Sequence, residues 1–165
     1  MKNRPKIRPP CNFFDRVLEA IAIGGILFGF FLVIRGWSGL PATIPTHFDA
    51  AGNADGWGPK YMILLLPSIS VVMIPLMLFL RRFPWLTNTL VQITEENAEH
   101  QYALIVRLLS VLACVISLLF LSLVYDTIAI AGGGTSLLGS WFMPAFIIPI
   151  VGSLLWYFVS AVHAR

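Results

Sequence analysis

Within nine residues of one polar stretch, His47, Asp49, Asn53 and Asp55 place an imidazole beside three oxygen-bearing side chains. Oxygen ligands gathered in a turn can hold Ca²⁺, and a histidine with carboxylates can hold Zn²⁺. The spacing is not that of an EF-hand, which needs acids at its first, third and fifth positions and a distal glutamate. Short Asp and Asn side chains also bond their own backbone amides in turns. Three readings follow: a metal site of His47, Asp49 and Asp55, a hydrogen-bonded structural cap, or a surface that binds a ligand. The residue types favour the cap, and neither a metal nor any other cofactor is expected. A binding surface here would use Pro45, His47, Asp49, Gly52, Asn53, Asp55 and Gly56.

A second polar cluster, Glu95, Glu96, Glu99 and His100, follows Thr94. Thr94 reads as a helix N-cap with acids complementing the dipole. Glu96 and His100 share a face at i, i+4, but a solvated helix start explains them more simply. No HExxH, GxSxG, P-loop or dinucleotide fingerprint occurs. Ser68, Ser70, Ser117 and Ser122 read as bonds between neighbouring helices. The chain is therefore not expected to be an enzyme.

These residues must be positioned by something unlike a soluble domain. Of 165 residues, 58% are hydrophobic and 12% charged, against about 25% charged in soluble proteins. The mean hydropathy is +0.83, and a soluble domain of this size could not hide so much apolar surface. Four segments, about 17–34, 61–80, 104–125 and 137–162, can span the roughly 30 Å of hydrocarbon that about 20 helical residues cross. Such runs satisfy their backbone as helices. The first is read as a retained helix and not a cleaved signal, because it is too long. The expected fold is thus an all-α membrane protein: one domain, 1–165, a four-transmembrane-helix bundle with an outer loop at 36–60 and a cytoplasmic loop at 81–103.

Lys and Arg set the orientation. Lys2, Arg4, Lys6, Arg8 and Arg16 precede or open the first span, Arg81, Arg82 and Arg107 flank the middle loop, and Arg165 ends the chain. The other loops hold Lys60, with Arg35 at a border. Both termini are predicted to be cytoplasmic in a multi-pass inner-membrane protein. Topology also explains the formal charge of +3, so no nucleic-acid partner is expected. Trp37, Trp57, Tyr61, Trp85, Tyr125, Trp141 and Tyr157 lie near span ends, where amphipathic rings prefer the headgroups. Glu19, Arg35, Arg107 and Asp126 sit at predicted boundaries, and no acid or base lies mid-span in the last three segments. Cys11 and Cys114 are too far apart in this topology to pair; Cys11 is juxtamembrane, where palmitoylation is chemically conceivable, but reads as a free thiol. Pro67 with Pro75, and Pro144 with Pro149, are expected to kink the second and fourth spans.

The outer loop is stiffened by Pro41, Pro45 and Pro59, while Gly52, Gly56 and Gly58 permit positive φ. Thr46-His47-Phe48-Asp49 reads as extended, and Ala51-Gly52-Asn53 and Asp55-Gly56 as turns. Leu40-Pro41, Ile44-Pro45-Thr46-His47-Phe48, Gly52-Asn53, Asp55-Gly56 and Gly58-Pro59-Lys60 together resemble a signature of the bacterial membrane domain-of-unknown-function family numbered one-six-four-eight, the N-terminal domain of SdpI-like immunity proteins. Residues 93–102, ITEENAEHQY, are similar to a second stretch of that family. The resemblance spans about residues 17–107. It implies a binding, protective or signalling role through the outer loop, with the lipid bilayer and a secreted peptide toxin or another membrane protein as partners. The alternative reading is a small transporter or an accessory subunit of a membrane complex.

Overall fold

The computed structural model describes residues 4–137 and 139–164; Lys2 and Arg165 of the basic flanks, and Leu138, lie outside them. Among the described residues, four helices are long and apolar enough to cross a membrane and form the bundle: α1 (Phe13–Gly36), α2 (Leu65–Leu80, lengthened to a span by the 3₁₀ turn Lys60–Leu64), α3 (Ala98–Ala131) and α4 (Phe142–His163). Between α1 and α2 lies a two-stranded antiparallel hairpin, β1 (Thr43–Phe48) and β2 (Ala54–Pro59). The four-helix membrane architecture is as the sequence predicts.

The helix ends differ from the hydropathy boundaries, for identifiable reasons. Helix α1 begins four residues early because Asn12 and Asp15 form a capping box: the Asp15 amide donates to Asn12 Oδ1 (2.9 Å) and the Asn12 amide to Asp15 Oδ2 (3.2 Å). Helix α3 runs 34 residues, about 51 Å at 1.5 Å per residue, well beyond the hydrocarbon. At its start, Thr94 and Asn97 exchange bonds, the Thr94 amide to Asn97 Oδ1 and the Asn97 amide to Thr94 Oγ1. Thr94 thus caps the turn before α3, and the helix proper opens at Ala98. At its far end the helix passes through Asp126 and Thr127 before stopping at Gly132.

Helix α3 is the central element, touching α1, α2, α4 and β1. Lipid tails are as apolar as leucine, so packing and hydrogen bonds hold membrane helices together. The α1 face toward α3 carries Ala22, Gly25, Gly29 and Val33, all buried. This close approach lets Ser117 Oγ donate to the Ala22 carbonyl across the helix pair at 2.7 Å. Ser70 and Ser122 bond back to their own helices instead. Gln101 Nε2 reaches the Ala161 and Ala164 carbonyls, both at 2.9 Å, and so satisfies the orphan acceptors at the end of α4.

Two of the four prolines do not act as mid-helix breaks. Pro67 and Pro144 are each the third residue of their helix, where no intrahelical amide bond is lost; Pro75 and Pro149 are interior.

Candidate functional site

The hairpin closes one end of the bundle. Ile44 and Pro45 are buried beneath it, and Ile44 packs with Val33, Leu40, Ile63 and Val124. Thr127 Oγ1 donates to the Pro45 carbonyl (3.4 Å). Lys60 secures the exit, its amide donating to Ala42 O and its Nζ to Leu40 O, with the ammonium 4.7 Å from the Trp37 ring centroid.

The four residues of the polar motif separate into two pairs with different jobs. Asp49 caps the turn, its Oδ1 accepting from the amides of Ala51 (2.9 Å) and Asn53 (2.8 Å), and its Oδ2 from Asn53 Nδ2 (3.1 Å). These donors, the Asn53 amide foremost, hold the Asp49 carboxyl below its ordinary value of 3.8. His47 Nδ1 and Asp55 Oδ1 lie 2.5 Å apart across the strands, on the solvent side. Among the described residues, no three His, Cys, Asp or Glu side chains come together as a metal group.

Two local expectations need correction. Asp55-Gly56 is not a turn but part of β2, paired so that Gly56 stands opposite His47. Of the three loop glycines only Gly52 has positive φ, at 79°. A Cβ on Gly56 would lie 2.8 Å from His47 Cβ, and one on Gly58 2.9 Å from Thr46 Cγ2. Those glycines serve cross-strand approach. Gly52 itself packs onto the α3–α4 loop, where a Cβ would meet the Gly139 carbonyl at 2.8 Å.

That loop is held by a residue whose role sequence reasoning missed. Asp126 is 1% exposed; its Oδ2 accepts from Ser136 Oγ and its Oδ1 from the Leu137 amide, each at 2.7 Å. The carboxylate therefore folds the α3–α4 loop against the hairpin tip. Its signal was a lone acid ahead of a glycine-rich, serine-bearing loop.

Under the hairpin lies an apolar cavity of about 400 Å³. Pro45 and Phe48 of β1 roof it, Leu66 of α2 and Leu123 of α3 line it, and Phe142 and Phe146 of α4 form its other wall. The volume falls within the roughly 300–1,000 Å³ typical of small-ligand sites. His47 also lines it. Asp49, Asn53 and Asp55 do not line it; they shape the hairpin that does. A wider, more polar depression of about 680 Å³ at the opposite end includes Glu96 and His100, but Thr94 and Asn97 beside them are engaged in capping.

Two outcomes follow for the hairpin. Gly56→Val should unpair it, at a cost of about 2 kcal/mol from overpacking against His47, whereas Asp55→Asn should change stability by less than about 1 kcal/mol, since an exposed ion pair is worth little. Hydrogen exchange of the strand amides distinguishes them. The second is a pH dependence. Because the Asp49 carboxyl is held low, its contribution is complete above the ordinary value of 3.8 and is lost as pH falls through the lowered native value. The Ala51 and Asn53 amides should therefore lose exchange protection in acid while the helices keep theirs, and Asp49→Asn should flatten that dependence.

The family model for a domain of unknown function, DUF1648, matches residues 24–78. The matched stretch runs from within α1 through the hairpin and most of α2, and includes Pro45 and Phe48 of the cavity roof. It does not extend to residues 93–102. No curated protein and no solved structure matches the chain.

Proposed function

We propose that this is a non-catalytic binding protein of the bacterial inner membrane that holds an apolar segment of an extracytoplasmic peptide beneath its hairpin. The observation that carries the reading is the apolar cavity of about 400 Å³ roofed by Pro45 and Phe48. Its walls suit an apolar segment, and His47 at its edge supplies a polar group that can orient one. The Lys/Arg distribution supports an outward-facing hairpin and cytoplasmic termini. The resemblance of residues 40–60 to SdpI-like proteins supports a protective role, in which the captured peptide is kept from the bilayer. A proton-coupled transporter would call for an ionisable relay at depth, and the last three spans carry no mid-span charge.

Orientation is tested by reporter fusions: one at Gly52 should read extracytoplasmic and one at Arg82 cytoplasmic. An extracytoplasmic readout at Arg82 would contradict the arrangement, because that position joins the second and third spans. Function is tested in cells lacking the protein, challenged with added amphipathic helical peptides. The wild-type chain should restore tolerance, and Leu123→Trp, which fills the cavity from inside, should not. Equal sensitivity with and without the protein would sink the protective reading.

A further inference from the structure

At the end of the bundle opposite the hairpin, where α1 begins and α2 ends, lies a second cavity of about 220 Å³. Arg8, Arg16, Arg81 and Arg82 line it, with Glu19 as its one carboxylate among the described residues and Cys11 beside it. Such an excess of guanidinium groups around one hollow costs self-repulsion unless an anion compensates it.

Arg81 marks the centre of that imbalance. Its side chain is only 9% exposed, its Nη2 lies 3.2 Å from Glu19 Oε2 and 2.8 Å from Cys11 Sγ, and its buried Nη1 has no hydrogen-bond partner among the described residues. A buried cationic donor left unmatched is costly. Of the other arginines, Arg8 is held by an aromatic ring, its guanidinium 5.2 Å from the Phe83 ring centroid. Its strap is pinned by Arg4, which donates to Thr87 O (2.7 Å) and Thr89 Oγ1 (2.8 Å).

We infer that this pocket binds a phosphate group. Several planar guanidinium forks converging on one hollow suit the bidentate geometry of phosphate oxygens. The hollow has the volume of roughly seven waters at about 30 Å³ each, enough for a phosphate ester with its first hydration. It lies at the first turn of α1 and the last of α2, the depth at which phospholipid headgroups meet a spanning protein. Basic pockets between membrane helices recognise anionic headgroups in this way. The source of the phosphate is a lipid headgroup or a free phosphate, and the inference stands independently of the hairpin-end reading.

The test uses the full chain in nanodiscs of phosphatidylcholine alone or with phosphatidylglycerol, read by native mass spectrometry of retained lipid and by melting temperature. Phosphatidylglycerol should be retained and should raise the melting temperature. Arg81→Gln should weaken retention on the order of tenfold. The double variant Arg16→Gln/Arg82→Gln, at two exposed positions, should do likewise without risk to folding. Arg35→Gln, at an exposed arginine of the hairpin end, should change nothing. Inorganic phosphate raising the melting temperature in phosphatidylcholine discs, with loss in the same variants, would assign the site to a free phosphate. Equal retention by all four proteins, or no response to either phosphate source, would overturn the inference.

Discussion

Arg107→Leu is expected to destabilise the folded protein by about 3 kcal/mol, the lower edge of the roughly 3–5 kcal/mol seen when one partner of a buried pair is removed. Arg107 Nε lies 2.5 Å from Asp15 Oδ1, and the Asp15 side chain is only 5% exposed. Arg107 keeps 29% exposure, which moderates the effect. The guanidinium also stacks 4.9 Å from the Phe14 ring centroid. Without it, the Asp15 carboxylate would be left in a largely apolar setting with the Asn12 amide as its remaining donor. Asp15→Asn in the Arg107→Leu background should recover at least half the loss, because a neutral amide is cheaper to bury than a charge. Denaturation in micelles measures both. A single variant indistinguishable from wild type would show that the pair does not hold α1 to α3.

The second large effect is expected at Gly25. A Cβ there would overlap Ser117 Oγ, the same hydroxyl that bonds the Ala22 carbonyl. Gly25→Leu should therefore force α1 from α3 at a cost of about 3 kcal/mol, the upper part of the usual overpacking range. Gly25→Ala should cost less, and Ser117→Ala should rescue it, since Ser117 Cβ lies at an ordinary 3.5 Å. No such rescue should help leucine. Equal tolerance of leucine and alanine would mean that the helices are not closely packed there.

The spacing of apolar runs was enough to reveal the four-helix plan, because the span of the hydrocarbon fixes their length. Helix ends were less legible. Gln101 falls in the predicted cytoplasmic loop and Asp126 at a predicted span boundary, yet each is buried by bonds that sequence spacing does not disclose, Gln101 with the end of α4 sixty residues on and Asp126 with the following loop. The Asp15–Arg107 pair joins positions 92 apart and left no local trace. The Gly25–Gly29 spacing, by contrast, is a small-residue packing signal legible in the sequence. In the hairpin, the extended run before Asp49 and the Gly52 turn were readable from residue type. Asp55-Gly56 was not, since the same dipeptide serves a turn or a close strand crossing, and only the partner strand decides. The cavity itself was invisible in sequence. Phe48, Leu66, Leu123 and Phe146 come from four elements, and each alone is an ordinary residue for its place.

The hairpin fits a role as a preformed roof. Asp49 and Asn53 shape its tip, Gly56 and Gly58 let its strands close, and Asp126 brings the α3–α4 loop beneath Gly52. Polar chemistry thus builds the cap, and apolar side chains supply the cavity walls. The direct test places a photo-crosslinking phenylalanine analogue at position 146, in the cavity wall, or at position 155, on the lipid-facing side of α4 where Leu155 is 59% exposed. Cells are given an alkyne-tagged amphipathic helical peptide from outside and irradiated. The account predicts a peptide adduct from position 146, none from position 155, and loss of the adduct when Leu123→Trp fills the cavity. Peptide adducts of equal yield at both positions, or only phospholipid adducts at 146, would contradict it.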